Sequence, residues 1–196
     1  MRVEVIRATE SPVEVISLAA GICYGKTDVS EKRVRHCFNN GHLSVFEHAS
    51  VTVRIEGISR ACMAQLTRHR HASFCVESQR YNKYDLTGCD WFVIPPTFAA
   101  DEEARGFFEW SMYRAAGDYK AALMNGVKPE DARYLLPEAT KTNLEMTCNL
   151  RELYHVLDMR CSQAAQWEIR ELATAIALEV SQVSQQWGFL MGLWVK

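Results

Sequence analysis

The sequence has no apolar run long enough to cross a membrane, no C-x-x-C pair, no marked excess of either charge and no glycine-rich phosphate loop. Each absence removes a class of function. A spanning helix needs about 20 consecutive apolar residues. The opening Met1-Arg2-Val3-Glu4 also lacks the apolar core of a signal peptide, so a cytoplasmic protein with no membrane partner is expected. The net charge of −2 argues against a nucleic-acid polymer as partner, because phosphate backbones are held by clustered lysine and arginine. A local basic pocket for one or two nucleotides remains compatible with that balance. The seven cysteines are odd in number and spread evenly, which indicates neither a disulfide framework nor a zinc knuckle and suits reduced, mostly buried thiols. Neither G-x-G-x-x-G nor G-x-x-x-x-G-K-[ST] occurs, and G-x-S-x-G is missing too. Difficult carbon chemistry without a recognisable nucleophile points to a cofactor.

What the sequence does contain is concentrated between Arg68 and Tyr81. These fourteen residues hold three arginines (Arg68, Arg70, Arg80), two histidines (His69, His71) and two serines (Ser73, Ser78). So much charge and hydrogen-bonding capacity is costly to bury inside an ordinary strand or helix. A basic surface turn is the plain alternative. The apolar approach from Ile58 to Leu66 and the aromatics Phe74 and Tyr81 favour an anion-binding loop instead. Further arginines, Arg133, Arg151 and Arg160, fall at the ends of expected elements, and arginine suits bidentate recognition of phosphate and carbonyl oxygens.

Length and ordinary composition suit a single domain over residues 1–196, or at most two small ones. Alternation predicts strands at 2–6, 51–55 and 141–148, the last with Thr142, Leu144, Met146 and Cys148 on its buried side. Ser11-Pro12-Val13-Glu14 reads as a helix start with Ser11 as cap and Glu14 closing a capping box. Helices are expected over 30–40, from Ser59 to about Thr67, from Asp101 to about 125, from Pro129 to Pro137, and after a cap at Asn149. The basic run is expected to return as a strand through 79–84, followed by turns to Gly88. Apolar residues at Ala165, Ile169, Leu172, Ile176, Val180 and Val183 predict one long helix over 163–187. Short strands not regularly alternated with helices give an α+β class, with helices packed on a mostly antiparallel sheet. His42 and His48 lack a third ligand at usable spacing, so no metal site is expected there and a histidine-capped turn is the plainer reading.

Arg68-His69-Arg70 followed by seven residues and Ser78, then Arg80-Tyr81, resembles the signature of the flavin-dependent thymidylate synthases. Gly41-His42-Leu43-Ser44-Val45-Phe46-Glu47-His48 before a strand is similar to that family's upstream motif. Ala132-Arg133-Tyr134-Leu135-Leu136-Pro137, Asn149-Leu150-Arg151, and Arg160 with Ala165-Gln166-Trp167-Glu168-Ile169-Arg170 match its later motifs in order. The chain departs from the pattern at Cys75-Val76, where many members carry Asn-Glu, and at Ala164, where they carry histidine.

The resemblance implies reductive methylation of dUMP to dTMP, with methylenetetrahydrofolate as carbon donor, FAD as redox carrier and NADPH as reductant. It implies that His42, Ser44, Arg68, His69, Arg70, Asn149, Arg151 and His155 hold FAD. Gln65, Glu77, Ser78, Gln79, Arg80 and Arg133 would hold dUMP, chiefly its phosphate. Arg160 would face the pyrimidine as the catalytic residue, its fixed charge favouring ionisation of the ring nitrogen. At roughly 100° per residue, Arg151 and Arg160 point to opposite sides of one helix. They are therefore expected to serve different sites, each built from several subunits, in keeping with the family's homotetramers. The competing class is a non-catalytic nucleotide or RNA-binding module that uses the basic loop with Phe74, Tyr81 and Tyr84 as stacking platforms.

Overall fold

The computed structural model describes residues 1–82, 84, 86–88 and 90–195. In chain order the elements are β1 (Arg2–Ala8), α1 (Pro12–Ile22), α2 (Glu31–Asn39), a 3-10 turn (Leu43–His48), β2 (Ser50–Ser59), α3 (Arg60–Leu66) and β3 (Ser73–Val76). There follow α4 (Pro96–Ala99), α5 (Glu102–Met124), α6 (Pro129–Ala132), a second 3-10 turn (Arg133–Leu135), β4 (Lys141–Asn149), α7 (Leu150–Arg160), α8 (Trp167–Gln182) and α9 (Gln185–Trp194). The strands form one sheet in the order β1-β2-β4-β3. β1 runs antiparallel to β2, Val3 facing Ile55 and Val5 facing Val53. Thr52 meets Thr147 and Arg54 meets Glu145, so β4 runs antiparallel to β2 as well. The α+β class with an antiparallel sheet is therefore what the chain adopts.

The chain forms two compact units whose segments interleave along the sequence. The first comprises Met1–Glu56, Leu66–Cys75 and Glu145–Lys196, the second Gly57–Gln65 and Val76–Leu144. In the first, β1 packs on α8, α1 on α2 and α9, and α7 on α8. Its core is mainly aliphatic, with Val51, Val53 and Ile55 from β2, Met146 from β4, Leu150, Leu153 and Leu157 from α7, and Ile169, Leu172 and Ile176 from α8, and it also buries Phe46, Tyr154, Trp187 and Cys148. In the second, α5 packs on α4 and α6. Its core is aromatic, with Trp91, Phe92, Met112, Ala116 and Tyr119 buried together and the rings of Trp91 and Phe92 edge to face at 5.0 Å.

Four expectations need correction. Ser11 does precede α1, but it sits in the left-handed region at φ 47° and makes no side-chain cap bond. A capping box needs an extended N-cap, so Glu14 has nothing to close. The strand of the basic run is β3 at Ser73–Val76; residues 79–81 are turn, and Lys83 and Asp85 lie outside the described residues. The long C-terminal helix is two helices, because Ser184 takes an extended conformation and its side chain accepts from the Trp187 N–H. The thiols are less buried than expected: Cys37, Cys62 and Cys148 are buried, Cys161 is half-buried, Cys23 and Cys75 are exposed, and Cys89 lies outside the described residues.

Candidate functional site

In the first unit the chemistry gathers around α7. Asn149 caps this helix, its Oδ1 accepting from the Glu152 N–H at 2.9 Å. Leu150, Leu153, Tyr154 and Leu157 are buried, which turns Arg151 and His155 outward. A cavity of about 620 Å³ is lined there by Glu47, His71, Asn149, Arg151, Glu152 and His155, among others. Arg151 is held by Glu47 at 2.5 Å. His42 and Ser44 are exposed; their neighbours Leu43 and Glu47 in the 3-10 turn contribute to the cavity wall.

The Arg-His-Arg triplet divides by exposure. Arg68 and Arg70 are exposed, whereas His69 between them is 4% exposed. His69 Nε2 accepts from Arg160 Nε at 2.9 Å, its Nδ1 lies 3.6 Å from Glu152 Oε1, and the His155 ring stands edge-on at 5.6 Å. Burial, then the Arg160 charge, then His155 push the His69 pKa down to about 4. The imidazole is therefore neutral at pH 7. Burial, reinforced by the Glu152 charge, pushes the nearby Cys148 thiol up to about 12. Arg160 is half-buried at the end of α7 and is absent from the lining of the cavity that Arg151 shares.

In the second unit a cavity of about 400 Å³ is lined by Arg60, Gln79, Arg133, Tyr134, Pro137 and Glu138, among others. Arg133 Nε donates to the Glu130 carbonyl at 2.9 Å, and its guanidinium lies 6.0 Å over the Tyr134 ring. Arg80 pairs with the Glu130 carboxylate at 2.7 Å. Ser78 Oγ accepts from the Arg80 N–H, and Glu77 accepts from Asn143 Nδ2 at 3.0 Å. Gln65 Nε2 donates to the Ala61 carbonyl at 3.4 Å. Arg60 donates to the Glu77 carbonyl at 3.0 Å and to the Tyr84 hydroxyl at 3.2 Å, while its Nε is buried without an acceptor among the described residues. An arginine on the cavity wall with a donor to spare suits an anion.

The structure thus brings Asn149, Arg151 and His155 to one cavity and Gln79 and Arg133 to another. Two residues escaped sequence reasoning. Arg60 follows the cap Ser59 at the start of α3, where the helix dipole disfavours a cation, and that misplacement is the signal. Glu152 is buried on α7 beside Leu153, with Val156 one turn on, and a carboxylate inside a widened apolar stripe is the corresponding sign.

Two cavities walled by arginine, histidine and amide side chains, on an α+β frame, suit a phosphorylated ligand. A profile of the family described as thymidylate synthase complementing protein matches residues 4–184, and the chain belongs to that family. It is 40% identical over 195 residues to the flavin-dependent thymidylate synthase of Geobacter sulfurreducens, covering 94% of this chain and 84% of that one. To the enzyme of the same name from Halobacterium salinarum it is 39% identical over 215 residues, covering 88% and 87%. In fold it matches the Helicobacter pylori flavin-dependent thymidylate synthase ThyX solved with FAD and dUMP, at a TM-score of 0.80, 24% identity and full coverage of both chains.

Proposed function

We propose that residues 1–196 act as one flavin-dependent thymidylate synthase unit, converting dUMP to dTMP with FAD as cofactor, methylenetetrahydrofolate as carbon donor and NADPH as reductant. The observation that carries this reading is identity of about two residues in five with synthases of that name over nearly the whole chain. The competing stacking module draws less support: the Tyr84 hydroxyl is tied to Arg60 and Phe74 is half-buried, which leaves Tyr81 exposed.

The donor set around α7 fits a flavin dinucleotide. Arg151 and His155 on the wall offer charge and N–H groups suited to a diphosphate, and the exposed Arg68 and Arg70 add two further cations to the same unit. Asn149, Arg151, His155, Arg68, Arg70, His42 and Ser44 would hold FAD, which when bound carries hydride between NADPH and the nucleotide. His69 has both ring nitrogens turned to protein groups, so its contribution runs through Arg160. Gln79 and Arg133, with Gln65, Glu77, Ser78 and Arg80 from the same unit, would bind dUMP. Arg60 joins them by virtue of its place on the wall. Arg160 would present a fixed positive charge to the pyrimidine. A homotetramer with shared sites and a cytoplasmic location complete the proposal; no helix among the described residues is long and apolar enough to cross a membrane.

The test is an absorbance spectrum of the purified protein with FAD, reduced anaerobically by NADPH with and without dUMP. A flavin band whose reduction rate responds to dUMP is expected. Arg160→Ala should keep the band and lose about a hundredfold or more in turnover, the scale of removing a preorganised charge. Absence of bound flavin under all conditions would overturn the reading.

A further inference from the structure

A buried carboxylate survives only where a partner offsets its desolvation. Glu152 is 6% exposed, and its Oε1 makes no close hydrogen bond among the described residues. Of the titratable groups around it, which include the Cys148 thiol, His69 is the one in ion-pair range, with Oε1 3.6 Å from Nδ1. On the far edge of the ring, Nε2 lies 2.9 Å from Arg160 Nε. The Nε–H of a guanidinium can only donate, so Nε2 must supply a lone pair. A neutral imidazole carries one N–H, and that hydrogen is consequently on Nδ1, the nitrogen 3.6 Å from the carboxylate.

We propose that Glu152 is a positioning residue for Arg160: as an acceptor it holds His69 in the Nδ1–H tautomer, and the Nε2 lone pair so fixed anchors the guanidinium through Nε. The proposal rests on Arg160 serving the reaction described above. The opposite tautomer would set the Nε2–H against the Arg160 Nε–H and turn a lone pair toward a carboxylate. Both contacts would become repulsive, and Arg160 would lose its anchor at Nε. His155, with its ring centroid 5.6 Å away and edge-on, is exposed and makes no hydrogen bond to His69 among the described residues.

The test combines ¹⁵N NMR of histidine-labelled full-length protein, with His69 assigned by its loss in His69→Gln, and steady-state kinetics with FAD present. In the wild type His69 is expected protonated on Nδ1 and unprotonated on Nε2. Glu152→Met keeps the volume and removes the acceptor. It should bring in Nε2–H tautomer and lower kcat at least about tenfold while KM for dUMP moves less than about threefold. Glu152→Gln can still accept through its amide oxygen and should retain the Nδ1–H tautomer, with kcat within about threefold of wild type. A wild-type ring protonated on Nε2 overturns the proposal, and so does a Glu152→Met variant with wild-type tautomer and kcat. The tautomer is read without turnover, so wild-type protein that forms no dTMP would refute the functional reading while the spectrum still decides the role of Glu152.

Discussion

Acidification acts on the buried His69. Its pKa lies near 4 in the folded chain against an ordinary value of 6.5, so between those pH values the unfolded chain binds a proton that the folded one refuses. Stability is complete above pH 6.5 and is lost as the pH falls through about 4, by up to about 3 kcal/mol from this group. Urea unfolding at pH 7 and pH 4.5 should show that slope, and His69→Gln should flatten it. At the same scale, Cys23 and Cys75 are exposed while Cys148 is buried with its thiol raised to about 12. A thiol reagent at pH 8 should therefore label Cys23 and Cys75 and leave Cys148 untouched until the chain unfolds, as peptide mapping would show.

At the scale of elements, α7 and α9 each depend on a side-chain cap. Asn149 accepts from Glu152 N–H and Ser184 from Trp187 N–H. Ser184→Ala should cost about 1 kcal/mol of stability in thermal or urea unfolding. Asn149→Ala should cost a similar amount and weaken FAD binding too, whereas Asn149→Asp keeps an acceptor for the cap and separates the two effects. The same elements show what patterns disclose. The alternation of β4 and the stripe of α7 follow directly from burial on one face, and both were legible. The break before α9 was not, because Val180 and Val183 continue the apolar seam up to the very residue where the backbone leaves the helix. β3 was misplaced because its four residues, two exposed and two half-buried, bury no face deeply and are too short a run to stand out beside the basic triplet. At the site, arginines and histidines announce themselves by composition, whereas Glu152 and Arg60 sit at positions that pattern assigns to the core or to a helix start.

For the whole molecule, Arg151 lines a cavity from which Arg160, on the same helix, is absent. That separation fits sites shared between subunits. Light scattering in solution should give about four times the 22.3 kDa chain mass, and a fully active monomer would refute the shared-site arrangement.

The first unit is assembled from both ends of the chain. Trp187 Nε1 donates to the Thr9 carbonyl at 3.1 Å, and Val13 N–H donates to Gln186 Oε1 at 3.0 Å. During synthesis β1 and α1 thus emerge long before α8 and α9, the helices they pack against, exist. Their apolar faces must wait, solvated or guarded, through more than a hundred residues of elongation, and closure is a late event with a high loop-entropy cost. Ribosome-stalled chains ending near residue 160 should accordingly be cleaved by protease within residues 1–56, where released full-length protein resists.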